Sequence, residues 1–209
     1  MEIEMKYAID SNEIAEKILQ DDDLKEIEEE GSREEVLMKA AYFDTDDYIL
    51  SKNDIAMRVR IEGDRMFAAL KWRGKNEGAM HIRGEINVPV DDPNTFLIPD
   101  VNLFKESEIG QEVISLVGDS VLNSIIEMQF VRNRFRIDNG AGIMEISVDR
   151  GEIITADAKE SICELEIELF SGDEEALVKA SEKIREKYDL KAELRSKYSR
   201  GLTLLGIRN

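Results

Sequence analysis

Cysteine and histidine are almost absent from this chain. Cys163 is the single cysteine and His81 the single histidine among 209 residues. No intrachain disulfide can form, and zinc sites built from four cysteines, or from two cysteines and two histidines, are excluded. The two-histidine H-E-x-x-H metal motif is excluded as well. A Ser-His-Asp triad would have to use His81, and no G-x-S-x-G elbow accompanies it. Cys163, beside Ile162, reads as a small buried hydrophobe rather than a nucleophile. No apolar run approaches the ~18 residues of a membrane span. The N-terminal MEIEMKYAID lacks the basic and apolar regions of a signal peptide. A cytoplasmic, reducing setting with no membrane partner is the expectation. Proline is scarce too. Pro89, Pro93 and Pro99 fall together, beside Asp91, Asp92, Asn94 and Asp100, and mark residues 89–99 as a turn or linker.

Charge, by contrast, is abundant and one-sided. The chain carries 46 acidic against 28 basic side chains, a formal net charge of −18. Phosphate backbones are held by Lys and Arg, so non-specific nucleic-acid binding is not expected. With 42% hydrophobic residues the chain can bury a core, and its length fits one domain.

The clearest pattern is alternation with a period of two, the signature of strands with one apolar face. In residues 54–62, Ala56, Arg58, Arg60 and Glu62 oppose Ile55, Met57, Val59 and Ile61. In residues 65–73, Phe67, Ala69, Lys71 and Arg73 oppose Met66, Ala68, Leu70 and Trp72, with Gly63-Asp64 as the hairpin turn between. Residues 79–88 set His81, Arg83, Glu85 and Asn87 against Met80, Ile82, Ile86 and Val88. Arg132, Arg134 and Arg136 share a face, as do Glu145, Ser147 and Asp149, and Glu164, Glu166 and Glu168. Residues 2–9 open with Glu2, Glu4 and Lys6 on one face.

Helices punctuate the strands. Residues 11–30 are predicted as one amphipathic helix on Ile14, Ile18, Leu24 and Ile27, stopped by Gly31. Ser171 and Glu174 form a capping box that opens a helix through about Tyr188. Shorter helices are expected over 105–117 and 196–205. The acidic run at 21–30 reads as a solvated helix face. The class is α+β with mostly antiparallel strands.

A solvated outer face would also alternate. Three details favour a site. The polar faces are sorted by sign, with carboxylates at 2–4, 145–149 and 164–168 and cations at 58–60, 71–73 and 132–136. Arg dominates the cationic strands, and its planar fork suits phosphate. Like charges repeated at i, i+2 cost stability unless a ligand or counter-ion sits among them. Stacked carboxylates are the hard oxygen donors that Mg²⁺ and Mn²⁺ prefer.

In order along the chain stand EIEMK at 2–6, YFDT at 42–45, IAMRVRIEG at 55–63, LKW at 70–72, RGEINV at 83–88, Arg132-x-Arg134, Asp149, ELEIEL at 164–169 and SKYSRG at 196–201. This set resembles the CYTH superfamily, the triphosphate tunnel metalloenzymes, and within it the bacterial inorganic triphosphatases. The resemblance covers residues 1–209 as a single domain. It implies an eight-stranded antiparallel β-barrel, a size whose interior holds side chains or one small ligand, with helices outside. It implies hydrolysis of inorganic triphosphate to pyrophosphate and phosphate with Mg²⁺ or Mn²⁺. Glu2, Glu4, Asp149 and members of the Glu164, Glu166 and Glu168 set match the metal-holding carboxylates. Lys6, Arg58, Arg60, Lys71, Arg132, Arg134 and Lys197 match the basic set that grips the triphosphate, and Arg83 is an added phosphate contact. Lys6, Arg58, Arg60, Lys71 and Glu85 are the catalytic expectation, with Glu85 ligating a second ion or orienting water. Arg73 and Arg136 are expected at the mouth or in solvent, His81 in a structural or rim role, and Trp72 in the core.

The same fold also implies competitors: a class IV adenylate cyclase, a thiamine triphosphatase or a nucleoside triphosphatase. A non-catalytic polyphosphate-binding module would need only the basic faces. The partner expected is a small polyphosphate, not nucleic acid. The sequence leaves the oligomeric state open, a dimer included. The net charge then reads as an acidic shell around a basic, metal-charged interior.

Overall fold

The alternating segments become strands, and their charged faces turn to the inside of a barrel. The computed structural model describes residues 2–207. In chain order its elements are β1 (Glu2–Ala8), α1 (Asn12–Leu19), α2 (Asp22–Lys25), β2 (Glu34–Asp44), α3 (Ile49–Lys52), β3 (Ile55–Glu62), β4 (Arg65–Glu77), β5 (Met80–Pro89), α4 (Glu108–Val117), β6 (Asn123–Asp138), β7 (Gly142–Ile154), β8 (Lys159–Gly172), α5 (Glu174–Tyr188), β9 (Lys191–Ala192) and α6 (Lys197–Leu204). The strand order is β5-β4-β3-β2-β6-β7-β8-β1, every pairing antiparallel, and β5 pairs back onto β1 to close eight strands. Closure places Glu2 opposite Arg83 and Glu4 opposite His81. It also removes the unpaired edges that an open sheet would expose. The short β9 adds to β1. No helix among the described residues is long and apolar enough to cross a membrane.

The outward apolar faces bury under helices. Met5, Tyr7, Ile146, Leu165 and Ile167 pack against Ile18 of α1 and Leu177 and Ile184 of α5. Met57, Val59 and Leu70 pack against Ile109 and Val113 of α4, together with Phe104. Trp72 joins this second cluster, as expected. Gly84 lies across from it in the β4–β5 register, where a Cβ would come within 2.4 Å of the Trp72 ring. Full burial of such side chains contributes about 1.5–3 kcal/mol each.

One end of the barrel is apolar inside as well. Ile126, Met128 and Phe130 continue the inward parity of Arg132, Ile153 that of Asp149, and Ile162 that of Glu164. These residues, with Ala40, Tyr42 and Ala56, surround Leu202 of α6. Helix α6 therefore closes that end. Gly201 permits the approach, since a Cβ there would meet Ile126 at 2.7 Å.

Three local expectations change. The helix over 11–30 breaks into α1 and α2, because Asp21 accepts from the Asp23 and Leu24 amides at 2.8 and 3.3 Å and starts a new helix. Asp21 is consequently buried rather than on a solvated face. Ser171 is the penultimate residue of β8, and Asp173 caps α5 instead, accepting from Ala176 at 2.8 Å. β2 shows no clean alternation because Ala40 to Asp44 are all buried, so its sequence carries no period-two signal. The proline segment holds two short 3₁₀ turns, Pro93–Phe96 and Val101–Phe104, on the way to α4. Strands from both sides of it pair within one sheet.

Candidate functional site

The charged inner faces enclose a cavity of about 750 Å³. Every sequence-predicted site residue lines it except Asp149 and Glu164. The period of two does this directly: Arg58 and Arg60 on β3, Arg132 and Arg134 on β6, and Glu166 and Glu168 on β8 point the same way.

The interior is paired more closely than a simple basic tunnel. Lys6 sits 2.7 Å from Glu166 and 3.2 Å from Glu4. Lys71 lies 3.0 Å from both Glu2 and Glu85. Arg83 bonds Glu2 at 2.5 Å and Glu4 at 2.9 Å. Arg132 grips Asp149 through two 2.7 Å bonds and reaches Glu166 at 2.5 Å. Lys197 touches Asp149 at 2.7 Å, Glu166 at 2.9 Å and Glu164. Burial alone would push Glu166 up, but Lys197, Lys6 and Arg132 hold it well below the usual carboxylate range. Burial likewise opposes ionised Glu2, and Lys71 and Arg83 override it. At Glu164 burial wins and the carboxyl titrates above its ordinary value, despite Lys197 and Lys6.

Arg58 and Arg60 differ. The Nε of each is buried with no hydrogen-bond partner among the described residues. Arg58 reaches Glu85 only at 3.4 Å. Burial, then Arg58 and Arg132, lower Arg60 to about 10. Buried donors without acceptors are costly, so this corner is built to receive an anion. Lys71 is lowered too, by burial and by Arg83, with Glu2 opposing.

The carboxylates fall into two groups. Asp149, Glu164 and Glu166 are buried, with ligand atoms all within 4.8 Å of one another. Their oxygens face Lys197, Arg132 and Arg200, which neutralise Asp149 and Glu164 out of reach of the cavity, while Glu166 also lines it. Glu2, Glu4 and Glu168 face the cavity, with Glu4 opposite Glu168 in the β1–β8 register. Glu168 forms no ion pair among the described residues. Burial, then Glu2 and Glu4, push it up to about 7. Glu168 has no cation of its own and shares this wall with Glu2 and Glu4, so their oxygens offer the hard donors that a divalent cation takes, and the residues fit Mg²⁺ or Mn²⁺.

Three residues of the site escape the sequence pattern. Tyr42 lines the cavity and stacks on Tyr198 of α6 with ring centroids 4.8 Å apart. Burial would raise its phenol, but Arg58, Lys71 and Arg83 bring it below the ordinary value. Arg200 bonds Glu160 at 2.6 Å and Glu164 at 2.8 Å. Glu62 caps the β3 row and meets Arg60 and Arg134 at 3.1 and 2.6 Å. Its signal was available, since it shares the Arg58 and Arg60 face. Tyr42 and Arg200 lie inside the YFDT and SKYSRG segments, where residue type alone does not reveal direction. Of the remaining expectations, Arg136 lies at the mouth, Arg73 is outside and exposed against Glu112, and His81 is buried with Nε2 2.9 Å from the Glu193 carbonyl.

The CYTH domain family matches residues 1–202. An inorganic triphosphatase from Haemophilus influenzae is 27% identical over 163 residues, which cover 78% of this chain and 44% of that protein. The chain thus spans less than half the length of this curated relative. Among solved structures, the Hippeastrum protein HpAC1, which has a dominant triphosphatase activity, superposes with a TM-score of 0.66 at 21% identity, covering 99% of this chain and 96% of that one. The PH1819 protein of Pyrococcus horikoshii gives 0.59 at 22% identity with full coverage of both. At these identities the structures establish the shared fold.

Proposed function

Because this chain belongs to the CYTH domain family, we propose that its tunnel hydrolyses inorganic triphosphate to pyrophosphate and phosphate with a divalent metal ion, and that residues 1–209 act as one such domain. The observation that carries this reading is the pair of buried, unpartnered Nε atoms of Arg58 and Arg60 inside a cavity also lined by hard carboxylates. The activity of the Haemophilus influenzae relative supports the choice of substrate.

In this reading Arg58, Arg60 and Arg132 grip the phosphate oxygens, with Lys6, Lys71, Arg83 and Lys197 completing the cationic wall and Arg134 at its outer limit. Glu2, Glu4 and Glu168, with Glu166, would hold Mg²⁺ or Mn²⁺. Bound there, the ion supplies a Lewis acid to phosphate oxygens and lowers the pKa of a bound water. Asp149 and Glu164 instead keep Lys197 and Arg200 in place. Water attacks the terminal phosphorus as the bridging P–O bond breaks, and pyrophosphate leaves with the electron pair. Glu85, between Arg58 and Lys71, orients that water and accepts its proton. The arginines stabilise charge developing on the transferred phosphoryl group, where preorganised donors act most strongly.

The test is phosphate release from tripolyphosphate, ATP, GTP and thiamine triphosphate with Mg²⁺ or Mn²⁺, with product analysis for cyclic AMP. Preferred turnover of tripolyphosphate is expected. No release from tripolyphosphate alongside good turnover of an organic triphosphate would sink the proposal. Glu4→Gln should abolish turnover; retained phosphate binding with no wild-type turnover would favour a binding module.

A further inference from the structure

The end of the cavity opposite α6 has its own chemistry. Beyond Arg58 and Arg60 on β3 comes Glu62, 3.1 Å from Arg60, 2.6 Å from Arg134 and 3.5 Å from Arg65. Arg134 also donates from Nε to Glu34 at 2.5 Å and lies 3.8 Å from Glu145. Carboxylates from β2, β3 and β7 thus converge on one guanidinium. Glu29 and Glu30, between α2 and β2, line the same opening. One step inward the buried Nε atoms of Arg58 and Arg60 have no partner among the described residues. Arg65 and Arg136 line this opening too, but each faces a carboxylate, Arg65 meeting Glu62 at 3.5 Å and Arg136 meeting Glu29 at 3.9 Å and Glu145 at 4.0 Å, so the cations beyond Arg58 and Arg60 are already shared. Since α6 fills the other end, an anion seated at Arg58 and Arg60 can extend only toward this ring of carboxylates.

We propose that Glu62, with Glu34 and Glu145, forms a carboxylate collar that limits the length of condensed phosphate the tunnel accepts, with Glu62 as its central specificity-determining residue. The inference rests on the triphosphate reading and adds a rule of selection to it. A triphosphate whose charge ends among Arg58, Arg60 and Arg132 stops short of the collar. Each additional phosphate would bring negative charge against Glu62, Glu34 and Glu145, whose cations are already shared among them. Repulsion between charges several ångströms apart, weakened by exposure and salt at the opening, amounts to roughly tenfold in affinity. The rejection is by charge and not by width, so a neutral group on the terminal phosphate escapes it.

The experiment compares tripolyphosphate with long-chain linear polyphosphate as ligands for the wild type, Glu62→Gln, Glu34→Gln and the double variant. Affinity is measured calorimetrically in Mg²⁺-free buffer and kcat/KM with Mg²⁺. The wild type should prefer tripolyphosphate, and Glu62→Gln should narrow that preference roughly tenfold. The double variant should narrow it further, and rising salt should narrow it in the wild type. If Glu62→Gln does not fold, the more exposed Glu34→Gln should still move the ratio in the same direction. Equal wild-type preference for both ligands, or an unchanged ratio in folded variants, overturns the collar alone. Absence of tripolyphosphate binding and turnover defeats the triphosphate reading and the collar with it.

Discussion

Arg200→Met tests whether α6 is fixed to the barrel by buried charge. The Arg200 side chain is 7% exposed and its partner Glu164 1%. The guanidinium donates to Glu160 at 2.6 Å, to Glu164 at 2.8 Å and to the Ser161 carbonyl at 2.5 Å. Met keeps much of the volume but removes all of these donors. Breaking a buried pair on one side costs about 3–5 kcal/mol, because the remaining charge stays desolvated. Lys197 still touches Glu164, which lowers the figure, while the lost bond to the Ser161 carbonyl adds about 1 kcal/mol. A net loss of about 3–4 kcal/mol is expected. For a chain of this size that is a fall in Tm of roughly 6–16 °C. Urea unfolding at neutral pH, followed by circular dichroism with the slope m checked for constancy, measures it. Lys25→Ala is the control, since its pair with Asp22 is exposed and should change stability by less than about 0.5 kcal/mol. A loss below about 1 kcal/mol for Arg200→Met, at constant m, would refute the claim that buried pairing seats α6.

Glu166→Gln and Glu164→Gln should separate the cavity from its support: the first weakens metal-dependent turnover by at least about tenfold, the second mainly lowers stability, as kinetics and melts on both variants would reveal. Reversal of the two effects would place the functional carboxylate deeper than argued. The Asp21–Tyr188 contact predicts a pH dependence, because the Tyr188 hydroxyl donates to Asp21 at 2.5 Å and Lys187 lies 2.9 Å away. Asp21 is held below its ordinary 3.8 by Tyr188 and Lys187 in spite of burial, so its stabilisation is full above that pH and lost as pH falls through the lowered value. Tyr188 is raised from 10.0 to about 12 by burial and by Asp21, so its contribution is present below pH 10 and disappears as pH rises through about 12. Tyr188→Phe should flatten both limbs of a stability-versus-pH curve, and unchanged limbs would count against the contact. Gly110→Ala should cost at least about 1–3 kcal/mol, since its Cβ would fall 1.8 Å from the Phe104 carbonyl oxygen, whereas Gly74→Ala, which meets nothing within 4 Å, should cost under about 0.5 kcal/mol.

What the sequence disclosed, and what it withheld, follows from the range of its patterns. Alternation is local, so it correctly put Arg58 and Arg60 on one face, and Trp72 on the other. It cannot see which carboxylate a cation will meet across the barrel. In the sequence Lys197 matches the set that grips the triphosphate and Arg200 has no role; only closure of β7 and β8 around α6 sets Asp149 and Glu164 against them. The helical period ran smoothly through Ile18 and Leu24 and hid the break, because Asp21 starts a new helix through its own side chain, not through hydrophobic spacing. The same limit corrects the expectation of a basic interior. The counts sorted charges by strand, yet Lys6, Lys71, Arg83, Arg132 and Lys197 are each already matched by a carboxylate. A triphosphate entering this tunnel therefore exchanges one set of anionic partners for another over most of the wall, which contributes little net affinity. At the Nε atoms of Arg58 and Arg60 it meets buried donors that hold no acceptor among the described residues. Affinity should accordingly concentrate there, and Arg60→Ala should weaken tripolyphosphate binding more than Arg134→Ala, whose guanidinium the collar already occupies.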